Sequence, residues 1–259
     1  MPKYDKLFDL TGRVVVVAGG AGAIGGEIAR GLAEYGAKIA IADYNREGAV
    51  AMAKEMQAAG IEAVGVGVNV LDDASIAEAF AAIESALGPV DALVNTVGTH
   101  IEQKAEEVTP TAGDTVVNIN LKGAFFLSQA AAKSMIASGK GGSIIHITSV
   151  RSNLGIHRGY VPYVASKGGL GVVIKQMATE WAKYQIRVNG IAPTFTRTPL
   201  VKDYLEDPNF YNPLVRRIPL GRICETSDLV GSALFLASDA SSFITGQNIF
   251  VDGGVTACQ

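Results

Sequence analysis

Seven short runs of apolar, largely β-branched residues recur along the chain: "RVVVVA" at 13–18, "KIAIAD" at 38–43, "AVGVGVNV" at 63–70, "VDALVNTVG" at 90–98, "GSIIHITS" at 142–149, "IRVNGIAP" at 186–193 and "NIFVDGG" at 248–254. Such continuous runs read as strands buried on both faces. Between them apolar residues fall at three- and four-residue intervals, which predicts helices over 24–36, 46–59, 73–87, 115–138, 162–184 and 227–238. Strands that alternate with helices pair in parallel through helical crossovers. The expected fold is α/β: one doubly wound, Rossmann-type domain with a seven-stranded parallel sheet and helices on both faces.

Punctuation agrees. Gly36 and Gly60 follow helical runs where C-terminal caps belong, and Asp72 precedes one where an N-cap belongs. No linker, repeat or low-complexity segment divides the chain, so residues 1–259 are expected to form one domain. The exception to regular alternation is 193–226, rich in proline and aromatic residues. An irregular stretch of that length inside a compact domain reads as a lid or a substrate-binding insertion.

Composition narrows the function classes. The chain has 259 residues, 48% hydrophobic and 18% charged, enough to bury a large core, and its net charge is −3. No Lys/Arg run exceeds the pair Arg216–Arg217, so the basic footprint of a nucleic-acid binder is lacking. Two cysteines, Cys224 and Cys258, and three dispersed histidines supply neither a disulfide scaffold nor metal-ligand spacing, so no metal is expected. The uncharged stretch 14–26 is too short and glycine-rich to span a membrane, and "MPKYDKLFDL" lacks the apolar centre of a secretion signal. The expectation is a cytoplasmic protein without membrane or nucleic-acid partners.

The stretch "VVVVAGGAGAIGGEIA" at 14–29 joins a valine strand to an apolar helix. That is the context of a dinucleotide loop: glycines allow a tight turn and close backbone approach, and the helix N-terminus attracts a pyrophosphate. Two registers are open, Gly20-x-Gly22-x-x-Gly25 and Gly19-x-x-x-Ala23-x-Gly25. Asp43 ends the second strand, eighteen residues past Gly25, where a carboxylate accepts hydrogen bonds from ribose hydroxyls and repels a 2′-phosphate. This predicts NAD rather than NADP, with Arg46 as the competing detail.

"YVASKGG" places Tyr163 and Lys167 four apart on a helical segment, so both emerge on one face. A phenol is a weak base at neutral pH, but a neighbouring ammonium or an oxidised nicotinamide lowers its pKa and lets it take a proton from an alcohol. Ser149 closes a buried strand at the sheet's carboxyl edge, where ligands of such folds bind.

In this order the motifs strongly resemble the short-chain dehydrogenase/reductase family over essentially the whole chain: the Gly-rich loop at 18–25, "NTVG" at 95–98, "NLKG" at 120–123, Ser149, the Tyr163/Lys167 pair, "IAPTFTRT" at 191–198 and "ITGQNIFVDGG" at 244–254. The resemblance selects Gly19-x-x-x-Ala23-x-Gly25 as the loop, with Gly22 and Ile24 inside it. It implies that Ser149 bonds the substrate oxygen, that Tyr163 is the acid/base, and that Lys167 grips the nicotinamide ribose while lowering the tyrosine pKa. It further implies that Asn120 holds a relay water, that Asn69 and Val70 border adenine, and that Asn95 lines the cofactor cleft. Pro193, Thr196 and Thr198 would lie at the nicotinamide, and the assembly would be a homotetramer through the helices at 115–138 and 160–184.

This chain departs from the family pattern at Ala18 (usually Thr), Thr96-Val97 (usually Asn-Ala), Ala23 and Thr194 (usually Gly) and Asn69 (often Asp). None removes a group needed for hydride transfer. The first two suggest a more apolar contact between strands one and four, with Thr96 as its polar handle.

Beyond Ser149 and within 193–226 stand Arg151, Asn153, His157, Arg197, Lys202, Tyr204 and Tyr211, a polar and partly cationic set. It points to a secondary alcohol that is a small polyol, sugar or sugar acid, with Arg151 or His157 on a hydroxyl or carboxylate. The alternatives are a 3-oxoacyl-thioester reductase of the same family, against which Asp43 counts, and a non-catalytic NAD-binding sensor, which would have no use for Ser149, Tyr163 and Lys167 together.

Overall fold

The computed structural model describes Tyr4 and residues 6–258. Among these, seven strands, β1 (Val14–Ala18), β2 (Lys38–Asp43), β3 (Ala63–Gly67), β4 (Ala92–Asn95), β5 (Gly142–Ile147), β6 (Ile186–Pro193) and β7 (Asn248–Val251), form one sheet in the order β3-β2-β1-β4-β5-β6-β7. Every pairing is parallel. The chain winds outward in both directions from β1 and β4, so the crevice outside their carboxyl ends is the topological switch point where ligands of open α/β sheets bind.

The helices are α1 (Ala23–Glu34), α2 (Arg46–Ala58), α3 (Asp73–Leu87), α4 (Pro110–Val117), α5 (Ala124–Ser138), α6 (Val161–Trp181), α7 (Lys202–Glu206), α8 (Pro208–Arg216) and α9 (Val230–Ala237). Strand alternation assigns them to faces. Val15 and Val17 of β1 pack with Ile28 and Leu32 of α1, Met52 and Met56 of α2 and Leu234 of α9. Val14, Val16 and Ala18 face Phe80 and Ile83 of α3, Leu127 and Met135 of α5 and Ile174 of α6. All five β1 residues are buried, and each valine side chain contributes about 1.5–3 kcal/mol by leaving water.

Several elements differ from the sequence expectation. The runs at 63–70, 90–98, 142–149 and 248–254 pair over only part of their length; their ends leave the ladder and become the loops at the carboxyl edge. The helix expected at 115–138 begins five residues earlier, because Thr109 caps it and Pro110 opens it, and a π-helical turn, Asn118–Gly123, lies within it. The stretch 193–226 carries α7 and α8 rather than being irregular. Asp72 does cap α3, accepting from the Ala74 and Ser75 amides at 3.0 and 3.3 Å.

Candidate active site

β5 ends at Ile147 and delivers Ser149 in extended backbone at the sheet edge. A relay of polar contacts holds that loop. Thr148 Oγ1 donates to Asn248 Oδ1 at 2.6 Å, Asn248 Nδ2 donates to Ser152 Oγ at 3.1 Å, and Ser152 Oγ donates to the Ser149 carbonyl at 2.7 Å. Ser149 Oγ accepts the Arg151 amide at 3.1 Å and lies near enough to the Tyr163 side chain to pull the phenol pKa down.

Tyr163 and Lys167 share one face of α6, whose second residue is Pro162. Lys167 is buried, its Nζ lies 5.7 Å from the Tyr163 ring centroid, and it donates to the Ile147 carbonyl at 2.8 Å. Burial lowers its pKa to about 8. The expected lowering of the Tyr163 pKa by Lys167 is not what the chain's own charges produce. Burial pushes the phenol up, the Ser149 side chain pulls it down, and Tyr160 and Arg151 add smaller opposed effects.

Asn120 stands in the π-helical turn, fully buried. Its Oδ1 accepts the Thr99 amide at 2.7 Å, and its Nδ2 donates to the Thr99 carbonyl at 2.9 Å and to Ser166 Oγ at 3.1 Å. Ser166 in turn donates to the Tyr163 carbonyl at 2.8 Å. The side chain thus clamps the loop after β4 to the start of α6. Asn120 Oδ1 and Lys167 Nζ lie on one side of Gly98, each 3.5 Å from the position that a Cβ there would take.

At the other end of the crevice, Gly19 has φ +75°, and a Cβ on it would meet Thr96 Oγ1 at 2.5 Å. A Cβ on Gly25 would collide with the Gly19 carbonyl. These two positions therefore need glycine for the chain's own packing. Gly22 is the N-cap of α1 and supplies no side-chain cap, with Ala23 exposed as the first helical residue and Ile24 half-buried behind it. The uncapped first-turn amides form an anion cradle of the kind that holds a pyrophosphate. The residues present fit a dinucleotide: a cradle without side chains, and a carboxylate beside it. Asp43 Oδ2 accepts the Ala21 amide at 3.1 Å and Oδ1 accepts the Asn45 amide at 2.9 Å, so it borders the loop directly. The Arg46 stem packs over Gly67.

The remaining positions divide. Asn69 spends its Oδ1 on the Leu71 amide, and Val70 is buried against Gly123. Pro193 ends β6 at the sheet edge, buried Thr196 bridges Cys224, and half-buried Thr198 precedes a 3₁₀ turn. Asn95, expected to line the cleft, points into the core instead: Oδ1 accepts the Val97 amide at 3.0 Å, and Nδ2 is 3.2 Å from His146 Nδ1. Thr96 does supply the polar handle, donating to the Ala18 and Gly19 carbonyls at 2.9 and 3.1 Å.

On the substrate side, Arg151 and His157 line a cavity of about 240 Å³ together with Arg158, Asn209 and Arg217. Arg197 and Lys202 are instead paired on the surface with Glu225 and Glu206, and Asn153 is exposed. Tyr204 belongs to an aromatic strap: the Arg158 guanidinium lies 4.9 Å from its ring centre and 5.2 Å from that of Phe210, while gripping Glu102 at 2.8 and 3.0 Å.

Sequence reasoning missed His146, Tyr160 and His100. A lone histidine inside the strand pattern "GSIIHITS" was a usable signal for a buried hydrogen-bonded ring; His146 is fully buried between Asn95 and Ser128, and burial drops its pKa to about 3. Nothing in the pattern marked His100, which packs on Tyr160 and Tyr163.

A parallel sheet with a dinucleotide cradle at its switch point and a Ser-Tyr-Lys set beside it defines a nicotinamide-dependent oxidoreductase. The chain belongs to the short-chain dehydrogenase/reductase family, whose members move a hydride between a nicotinamide dinucleotide and a secondary alcohol or ketone. A family model described as enoyl-(acyl carrier protein) reductase matches residues 19–256. The chain is 37% identical to gluconate 5-dehydrogenase of Gluconobacter oxydans, over 98% of each chain. It is also 37% identical to D-threitol dehydrogenase of Mycolicibacterium smegmatis, over 97% of this chain and 96% of the other. Among solved structures, a gluconate 5-dehydrogenase from Burkholderia cenocepacia in complex with NADP and tartrate superposes with a TM-score of 0.94 at 38% identity, covering 98% of this chain and 99% of that one.

Proposed function

We propose that the protein oxidises a small polyhydroxylated alcohol, a polyol, sugar or sugar acid, to the ketone, or runs the reverse reaction, with NAD(H). The observation that carries this reading is a cavity in which Arg151, His157, Arg158, Asn209 and Arg217 stand among apolar residues such as Ile156, Phe195, Leu214 and Val255, with Arg151 bonded through its amide to Ser149. Guanidinium groups suit a carboxylate or a ring of hydroxyls. The names of the relatives, a gluconate and a threitol dehydrogenase, point to the same chemistry.

In this reading Ser149 donates to the substrate oxygen, and Tyr163 takes the hydroxyl proton in oxidation or returns it in reduction. NAD, when bound, would supply the hydride acceptor and a positive ring that offsets the burial raising the phenol. Lys167 holds the cofactor ribose, and Asn120 holds a relay water behind it while its side chain braces α6. Gly19, Gly22, Ala23, Ile24 and Gly25 receive the pyrophosphate, with Asn69 and Val70 by adenine and Pro193, Thr196 and Thr198 by the carboxamide.

Asp43 at the loop supports NAD over NADP, since a 2′-phosphate would meet a carboxylate. A higher kcat/KM with NADP would overturn that assignment. Apolar residues on the outer face of α6, with Val161 and Val172 exposed, support the homotetramer, and light scattering showing a monomer would refute it.

Initial rates across C4–C6 polyols, sugar acids, simple secondary alcohols and a 3-oxoacyl thioester test the substrate class. Turnover confined to the thioester would replace it with the 3-oxoacyl-thioester reductase reading. Tyr163→Phe should lower kcat at least about 100-fold while leaving dinucleotide affinity within about twofold.

A further inference from the structure

The loop between β4 and α4 is pinned at three points. Asn120 holds both backbone groups of Thr99, the Gln103 amide donates to the Gly159 carbonyl at 3.1 Å, and Glu102 takes a two-pronged bond from Arg158. His100 sits between these fasteners. Its ring stacks on Tyr160, centroids 3.9 Å apart at 35°, and meets the Tyr163 ring edge-on at 5.3 Å. Both imidazole nitrogens are shut off from solvent, and neither has a partner among the described residues.

A buried polar group is almost always hydrogen-bonded, and one that is not carries the full loss of its hydration. Here the unpartnered ring is not in the core but against the acid/base tyrosine; the pinned backbone on either side holds it there, and rotation about its own side-chain torsions is what would turn a nitrogen toward a bound alcohol. We propose that His100 is a specificity-determining residue whose ring nitrogens hydrogen-bond a substrate hydroxyl next to the reacting carbon. The inference rests on the polyol reading above and deepens it.

The chemistry of the ring fits that ligand. Burial holds the imidazole below its usual pKa, so at neutral pH it is uncharged, with one donor and one acceptor nitrogen. A hydroxyl likewise donates and accepts, so it satisfies either nitrogen. A carboxylate only accepts and can satisfy one, which leaves the acid end of a sugar acid to Arg151 and Arg217. Glu102 and Arg158 are the charged groups that act on the ring, and their effects oppose each other.

The test compares the best polyol of a C4–C6 panel with its deoxy analogue lacking the adjacent hydroxyl. The wild type should prefer the polyol by about 10- to 100-fold in kcat/KM, the worth of one buried hydrogen bond. His100→Phe keeps the stacking and loses both nitrogens, so it should reduce that preference to less than about threefold by lowering the polyol rate alone. His100→Gln, which restores a donor and an acceptor, should recover part of it. Dinucleotide affinity and Tm of both variants confirm that the site is folded. A preference unchanged in His100→Phe, or equal losses on both alcohols, would overturn the role of His100 and leave the polyol reading standing. If the wild type turns over no polyol, both fall.

Discussion

The Lys167 ammonium lies over the Tyr163 ring at 5.7 Å, yet its hydrogen bond goes to the Ile147 carbonyl at 2.8 Å. Its charge is therefore anchored to the end of β5 and carried at the cost of burial, which brings its pKa to about 8 against 10.5 for a free lysine. Between those two values the unfolded chain holds more protons than the folded one, so stability should rise with pH from about 8 upward. Relative to Lys167→Met, the cofactor-free wild type should gain about 2 kcal/mol between pH 8 and 10, read from urea unfolding. A constant difference between the two proteins across that range would contradict it.

His146 sets the acid limit. Its folded pKa of about 3 lies below the ordinary 6.5, so the stability it contributes is complete above 6.5 and is lost as pH falls toward 3. The loss should approach about 1.4 kcal/mol per pH unit inside that window. His146→Gln should be less stable at neutral pH but show a shallower fall in Tm from pH 6.5 to 4.

Thr96 takes over a contact that Ala18 cannot make. Both carbonyls that it bonds have a second donor, the Thr96 amide for Ala18 and the Gly22 amide for Gly19, so neither is stranded when the hydroxyl is removed. Thr96→Val should cost about 1 kcal/mol, a fall in Tm of roughly 2–4 °C. The KM for NAD should stay within twofold, because the side chain points at the turn's backbone.

Arg158 joins two segments that the sequence keeps far apart, Glu102 after β4 and the aromatic residues Tyr204 and Phe210 of α7 and α8. Arg158→Ala should free the helical segment over the cavity. The expected result is a severalfold higher KM for the alcohol and faster proteolysis within 199–216, with unchanged dinucleotide affinity by fluorescence titration.

Much of this was legible beforehand. The apolar runs located all seven strands, and β2 and β6 matched to the residue: β6 is buried along its length apart from Arg187, and β2 buries its inner four residues between half-buried ends. The runs that overshot did so where apolar residues continue into loops that are themselves buried, such as Val68, Val70 and Val90. Hydropathy reports burial and cannot tell a paired strand from a packed loop. Asn95 shows the same limit for polar residues: its position in "NTVG" was plain, but only its neighbour across β5, His146, turns its amide inward.

The sequence by itself determined the alternation of strands and helices, the glycine turn, and the Tyr163/Lys167 spacing, because each depends on residues within a turn or two of one another. Tertiary structure alone decided which polar groups were consumed and which were left. Arg197 and Lys202 found surface carboxylates, Asn120 was used on Thr99 and Ser166, and the His100 ring found no polar partner among the described residues. Hydrogen bonding is a matter of ångströms between segments distant in the chain, and that distance is set only when the two faces of the sheet are packed.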